Sequence, residues 1–281
     1  MFQFTPDTNA DYNALLTELK RNFHNGLLVD FQYTYSKSID EVSSEGPGYG
    51  TNQTYPTDLA TERGPSDFDA THNVRVVGLY HLPILRGRTD WMGDVLGGWE
   101  VSGDFQFHSG FPWTPVAVNN CNLVLGAATI CPLRPIGVLA TPGDNHDTNA
   151  FLPPASGSNF PNGSTAYYDV TASGFPAFNR NNERGPRFSQ FDFSFVKSFG
   201  LPAMRFVGES SKIQLRMNIY NAFNKLNLTP FTFQSASTTV AYGNNCTGSP
   251  AVCTPIANPN FGIATSGLAG RTVELEGRFV F

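Results

Sequence analysis

No stretch of this 281-residue chain approaches the roughly 20 consecutive apolar residues that a membrane-spanning helix requires, so a helical membrane protein is excluded. Charge is also scarce. Only 15% of residues are charged, where an average soluble domain carries about 25%. The net charge of -5 leaves no basic footprint, which argues against a nucleic-acid partner. Helical periodicity is almost absent. The opening residues MFQFTPDTNADYN lack the basic and apolar regions of a signal peptide, so the chain is expected to be a fragment whose targeting segment lies elsewhere.

Catalytic signatures are missing too. There is no G-x-S-x-G, H-E-x-x-H, P-loop or Rossmann glycine run, so the expectation is a non-enzyme with no cofactor. His72, His81 and His108 stand apart from one another, and no spacing makes them a metal site. Asp67 and Asp69 in SDFDATH admit a calcium or sugar contact, but a role in pinning the loop-to-strand junction is the simpler reading. Cysteines number four, as two close pairs without C-x-x-C spacing. Proximity favours loop disulfides joining Cys121 to Cys131 and Cys246 to Cys253; reduced thiols are the alternative.

What the chain has in abundance is aromatic side chains, 24 Phe and 10 Tyr, in a sequence whose mean hydropathy is still -0.21. A membrane β-barrel shows this balance, because apolar and polar residues alternate along each strand instead of clustering. Such alternation recurs throughout. GLLVDFQYTYSKS sets Leu27, Val29, Phe31, Tyr33 and Tyr35 against Asp30, Gln32 and Thr34, and alternate side chains of a strand point to opposite faces. NALLTELKRNF, HNVRVVGLYHLP, GGWEVSGDFQFHSG, FSQFDFSFVKSF, KIQLRMNIYNAF and the closing RTVELEGRFVF behave likewise. Between the first two strands, HNG reads as a three-residue hairpin loop with Gly26 in the left-handed position. That places Phe23 opposite Leu27 and Lys20 opposite Asp30.

Connections alternate between short or moderate and long. The long ones are rich in Gly, Pro, Asn and Ser, and both cysteine pairs fall in them. The fold expected is therefore all-β: an antiparallel transmembrane β-barrel, partial, with short periplasmic turns and long extracellular loops. One face of each strand meets lipid, and the other lines a lumen with both signs of charge. The segments VAVNNCNLVLGAATIC and AYYDVTAS within the longest loop are expected to form extra strands above the membrane. A soluble carbohydrate-binding β-sandwich would share the alternation, with its apolar face covered by a second sheet. Trp113, in SGFPWTP at the outer end of the fourth strand, is the best contact candidate. It is either a ring for a ligand to stack on or an interfacial anchor.

Several stretches carry a family resemblance. YNALLTELKRNFHNGLLVDFQYTYSKSIDE, ERGPSDFDATHNVRVVGLYHLP, GGWEVSGDFQFHSGFPWTP and RGPRFSQFDFSFVKSF resemble successive strands of TonB-dependent outer-membrane receptors. The likeness is greatest to the Oar-like group that carries a carboxypeptidase-regulatory-like domain. QLRMNIYNAFNKLNLTPF resembles that family's penultimate-strand signature, with Asn218, Asn221, Phe223 and Asn224 in matching places. Asn218 stands where many members carry Glu. The terminal GRFVF resembles the signal read by the outer-membrane barrel-assembly machinery, which singles out Val273, Leu275, Phe279 and Phe281. The resemblance implies a plugged barrel of about 22 strands, of which this chain would supply roughly seven. It further implies energy from the TonB complex through an N-terminal part, and import of a scarce or bulky ligand such as a metal chelate or oligosaccharide. A surface protein for adhesion is the alternative function.

Overall fold

The computed structural model describes residues 8–43, 59–84, 91–114, 116–118, 130–132, 134–135, 168–169, 180–181, 183–201, 211–232, 238–248, 252–258 and 260–280. Seven long strands form one sheet in chain order: β1 (Ala10–His24), β2 (Leu27–Asp40), β3 (His72–His81), β4 (Trp99–His108), β5 (Phe188–Gly200), β6 (Lys212–Tyr220) and β7 (Thr272–Val280). Every pairing among them is antiparallel. A tilted strand needs about 9–11 residues to cross a bilayer, and the shortest of these, β6 and β7, have nine. The connections 25–26, 82–98 and 201–211 lie at one end of the sheet, and the longer 41–71, 109–187 and 221–271 lie at the other. The sheet is open, with β1 and β7 at its edges.

Register aligns the expected faces into continuous rows. Leu27, Tyr80, Val101, Phe195, Met217 and Leu275 run partner to partner across six strands. A neighbouring row carries Val29, Gly78, Gly103, Phe193, Ile219 and Val273. The Phe191 ring fills the space at Gly103, where a Cβ would meet it at 3.1 Å, while the space at Gly78 stays open. Phe191, Phe193 and Phe195 pack ring on ring, 5.7 and 4.5 Å between centroids, in the tilted and edge-on geometries that aromatic quadrupoles favour.

Nothing among the described residues covers this apolar face. Leu19 is 70% exposed and Leu275 80%. The buried hydrophobic side chains among the described residues are Trp113, Val196, Phe261 and Ala264, whereas the buried polar ones include Asp40, Glu62, Asp69, Arg180 and Lys197. A soluble domain inverts that polarity, because burial of apolar surface is what drives its folding. The β-sandwich alternative is thereby corrected: its second sheet would have to lie against Leu19 and Leu275, which stand uncovered.

Lys197 is the exception on the apolar face. By parity it stands between Trp99 and Leu215, yet it is buried. Its ammonium donates to the carbonyl of Gly97 and, at 3.2 Å, to that of Ser198. It also lies 4.5 Å from the centroid of the Phe199 ring. A charge facing hydrocarbon is tolerated when it reaches polar groups at the boundary. Here it reaches the end of the short helix Trp91–Leu96 in the connection between β3 and β4.

The first hairpin differs from the sequence reading. Lys20 does face Asp30, forming an ion pair at 3.7 Å. The turn, however, is two residues long: His24 pairs with Leu27, and the register shifts between Arg21 and His24. Asn25 and Gly26 both have positive φ, 54° and 81°, which is the type I′ turn whose twist suits a hairpin. The irregularity on β1 absorbs the change of parity. A Cβ on Gly26 would sit 2.8 Å from the carbonyl oxygen of His81, so Gly26→Ala meets both a clash and a disfavoured φ. We expect a loss of about 1–2 kcal/mol, read as a lower midpoint for heat-induced loss of the folded band in electrophoresis of the intact protein.

The expected extra strands are present in the loops. Val116–Val118 pairs with Ile130–Pro132, and Tyr168–Asp169 pairs with Arg134–Pro135. Val116–Val118 also joins Thr239–Thr247 of the β6–β7 connection in parallel, and Thr239–Thr247 pairs with Val252–Ala257.

Candidate functional site

The polar face of the sheet is a wall of matched charges. Arg75 on β3 donates to Asp104 on β4 at 2.9 Å, Arg216 on β6 lies 3.8 Å from Glu276 on β7, and His81 lies 3.1 Å from Glu100. All are cross-strand pairs, the geometry in which opposite charges support a sheet. Gln190 donates to Asp192, and the Ser194 hydroxyl to Asn218, each at 2.8 Å. Exposed pairs of this kind contribute little stability singly. Their effect is to keep one face of the sheet wettable.

At the long-loop end the polar groups go under cover. Arg180, in the connection between β4 and β5, is the hub. Its guanidinium ion-pairs with Asp40 at the end of β2, both side chains being 6% exposed. It also donates to the carbonyls of Glu62 and Asp40, at 3.2 and 2.8 Å, and to the Ser43 hydroxyl at 2.8 Å. Four residues on, Arg184 holds Asp69 at 2.5 Å, while Asp69 accepts from the Ser38 backbone N–H at 2.7 Å. The Asn181 side chain bridges the Pro65 carbonyl at 2.8 Å and Asp67 at 2.5 Å. One latch thus joins the rims of β2, β3, β4 and β5. Asp67 and Asp69 serve it as junction pins. Gly64 and Gly110 let the strands close up, since a Cβ on either would run into the carbonyl of Arg180 or Gly185. At the edge, Arg63 hydrogen-bonds Asp11 of β1, and that bond holds its guanidinium pKa above the ordinary value.

The same end carries the asparagines of the penultimate strand. Asn221 and Asn224 adopt positive φ, 50° and 52°, a conformation Asn tolerates because its side chain bonds locally. Asn221 Oδ1 accepts from the Lys225 N–H at 2.9 Å and its Nδ2 donates back to the Lys225 carbonyl at 2.8 Å. Asn224 Oδ1 accepts from the Arg271 N–H at 3.0 Å, just before β7. Asn218 faces Glu274 across the β6–β7 pair. Phe223 is exposed, with its ring 5.4 Å from that of Phe191.

Trp113 lies in the short strand Pro112–Trp113, paired with Glu183–Arg184. It is 3% exposed, with its ring edge-on to Phe231 at 5.2 Å and to Phe261 at 5.7 Å. Neither an open stacking platform nor a lipid-boundary anchor describes that position. The ring instead ties the β4–β5 connection to the β6–β7 connection. Among the described residues, Trp113 Nε1 is the buried side-chain polar atom without a hydrogen-bond partner. Trp113→Phe keeps an aromatic ring in the cluster and removes the unpaired donor. The smaller ring leaves a void, so we expect a loss that stays below the roughly 3–5 kcal/mol of a full truncation to Ala, measured as the thermal midpoint of the intact protein.

The other expected residues divide. Cys246 stands opposite Cys253 in the hairpin register, and Cys131 opposite Ala117; Cys121 lies outside the described residues. Val273, Leu275 and Phe279 form the exposed apolar row of β7, and Phe281 lies outside the described residues. Among the described residues no group of three or more His, Cys, Asp or Glu is placed to hold a metal. His72 Nδ1 instead meets the Tyr33 hydroxyl at 2.9 Å, and His108 stacks on Phe188.

Sequence reasoning missed Arg180, whose partners lie over a hundred positions away. One signal was available. Glu-Arg-Gly-Pro occurs twice, at 62–65 and 183–186, each time shortly before a strand that descends from the long-loop end. The two copies are the two sides of the latch.

Comparison with known proteins adds one finding: a family model described as an outer membrane beta barrel domain matches residues 1–274. No curated protein and no solved structure matches the chain.

Proposed function

Since this chain belongs to the outer membrane beta barrel domain family and is thus a protein of the outer membrane of a Gram-negative bacterium, we propose that it is the C-terminal part of a TonB-dependent receptor that imports a scarce or bulky ligand. The observation carrying this reading is that the long strands among the described residues form an open wall of seven, all antiparallel, polar and charge-matched on one face, with neither edge paired by another described strand. An odd number of alternating strands leaves β1 and β7 running the same way, so they cannot close on each other antiparallel. Bacterial single-chain barrels have an even count, and an open edge in lipid leaves backbone groups unsatisfied. Further strands complete the wall in this reading, and a wide barrel has room for the plug that the Oar-like resemblance implies. Energy comes through the TonB complex. The apolar row of β7, Val273, Leu275 and Phe279, is what the barrel-assembly machinery would engage.

Adhesion is the second reading. The buried latch favours it to the extent that it fixes loops as a rigid display surface. Deleting the gene separates the two. For the receptor, accumulation of at least one labelled metal chelate, cobalamin or oligosaccharide falls in the deletion strain, and in the parent falls equally when a protonophore collapses the inner-membrane gradient. Unchanged accumulation of all of them, with loss of cell attachment, would establish the adhesin and sink the receptor.

A further inference from the structure

The hairpin of Thr239–Thr247 and Val252–Ala257 places Cys246 directly opposite Cys253. Residues directly opposite in an antiparallel pair have Cα atoms about 4.5 or 5.5 Å apart, according to whether they exchange hydrogen bonds. Both separations fall inside the roughly 4.4–6.8 Å that a disulfide bridges. Cys131 faces Ala117 in its own pair, so the register gives it no cysteine across the strand. We propose that Cys246 and Cys253 form a cross-strand disulfide that staples this hairpin of the β6–β7 connection.

The hairpin belongs to a four-stranded sheet built from the loops. Its parallel contact is short, with Thr239 beside Val116 and Ala241 beside Ala117, yet it is where the sheet joins the β4–β5 connection to the β6–β7 connection. The strand making it, Thr239–Thr247, is the strand that carries Cys246. A bond that fixes the hairpin's register therefore also fixes the strand on which the other loop docks. A one-residue slip in an unbridged hairpin would turn every side chain to the opposite face.

The bond forms by exchange with a dithiol-oxidising protein of the periplasm, whose own disulfide is the oxidant. One cysteine thiolate attacks that disulfide, giving a mixed disulfide and releasing one oxidase thiolate. The second cysteine thiolate then displaces the other oxidase sulfur. The two thiol protons pass through solvent to the two released oxidase thiolates, the cysteine pair is oxidised by two electrons, and the oxidase is reduced to its dithiol. The periplasm supports such exchange. The bond stands whether the barrel imports a ligand or serves adhesion.

The test uses intact protein extracted from outer membranes without reductant and with thiols trapped in acid. Trypsin releases residues 226–271 as one peptide holding both cysteines, since no Lys or Arg interrupts it. The expected peptide resists alkylation until reduced, carries no other peptide, and is lighter by the hydrogen pair lost on oxidation. Alkylation of both thiols before reduction, or a crosslink to the peptide bearing Cys121 or Cys131, would overturn the pairing. Reduction should also speed amide exchange across residues 239–257 in the folded protein; a hairpin indifferent to reductant would overturn the stapling role.

Discussion

Arg180→Ala should destabilise the intact barrel protein by about 3–5 kcal/mol, the cost of leaving a buried charge without its partner. The abandoned charge is Asp40, and the Glu62 carbonyl and Ser43 hydroxyl lose a donor with it. Exposed pairs elsewhere, such as Lys20 with Asp30, carry no comparable effect. Restoring neutrality should recover part of the loss, so Arg180→Met combined with Asp40→Asn is expected to lie between the parent and Arg180→Ala. The readout is the midpoint of heat-induced mobility change, together with protease access to loop 41–71. Equal midpoints for parent and Arg180→Ala would show that the latch does not hold the rim.

The second large effect uses two adjacent valines. Val76 pairs with Phe31 and Phe105 on the apolar face, whereas Val77 pairs with Asp30 and Asp104 on the polar one. Both lie mid-strand in β3. An arginine on the lipid face of a barrel costs about 2–4 kcal/mol near the bilayer centre, so Val76→Arg should lose that much or fail to insert. Val77→Arg places the same side chain between two carboxylates facing water, and its expected change is below about 1 kcal/mol. Equal losses for the two variants would mean that the faces have been wrongly assigned.

The strands were legible because period-two alternation is a local property. Phe191, Phe193 and Phe195 set against Asp192 and Ser194 announce a two-faced strand whatever it packs against. The type I′ turn was less legible. Parity counting fixed Lys20 opposite Asp30, but the irregularity between Arg21 and His24 breaks parity locally, and no residue type marks it. Trp113 could be placed at the outer end of its strand but not under cover, because Phe231 and Phe261 reach it from a connection over a hundred residues downstream. Arg180 was the least legible of all. Its meaning lies in the carboxylate at Asp40 and in the first copy of Glu-Arg-Gly-Pro, at 62–65, both more than a hundred positions away in sequence.

The asparagines of the penultimate strand lie between these cases. Their resemblance to a family signature could be read directly from NIYNAFN, but not its cause. Asn221 and Asn224 hold left-handed backbone and carry the hydrogen bonds that lead the chain out of β6 and into β7. Replacing either with a β-branched residue would oppose that conformation.

Spin labels placed singly along β5, at Phe191, Asp192, Phe193, Ser194 and Phe195 of the intact protein in bilayers, test the central claim most directly. Labels at 191, 193 and 195 should relax with dissolved oxygen, which concentrates in hydrocarbon, and labels at 192 and 194 with a water-soluble nickel chelate. Odd-numbered labels shielded from both agents, as if covered by a second layer of protein, would contradict the membrane wall on which every functional conclusion rests.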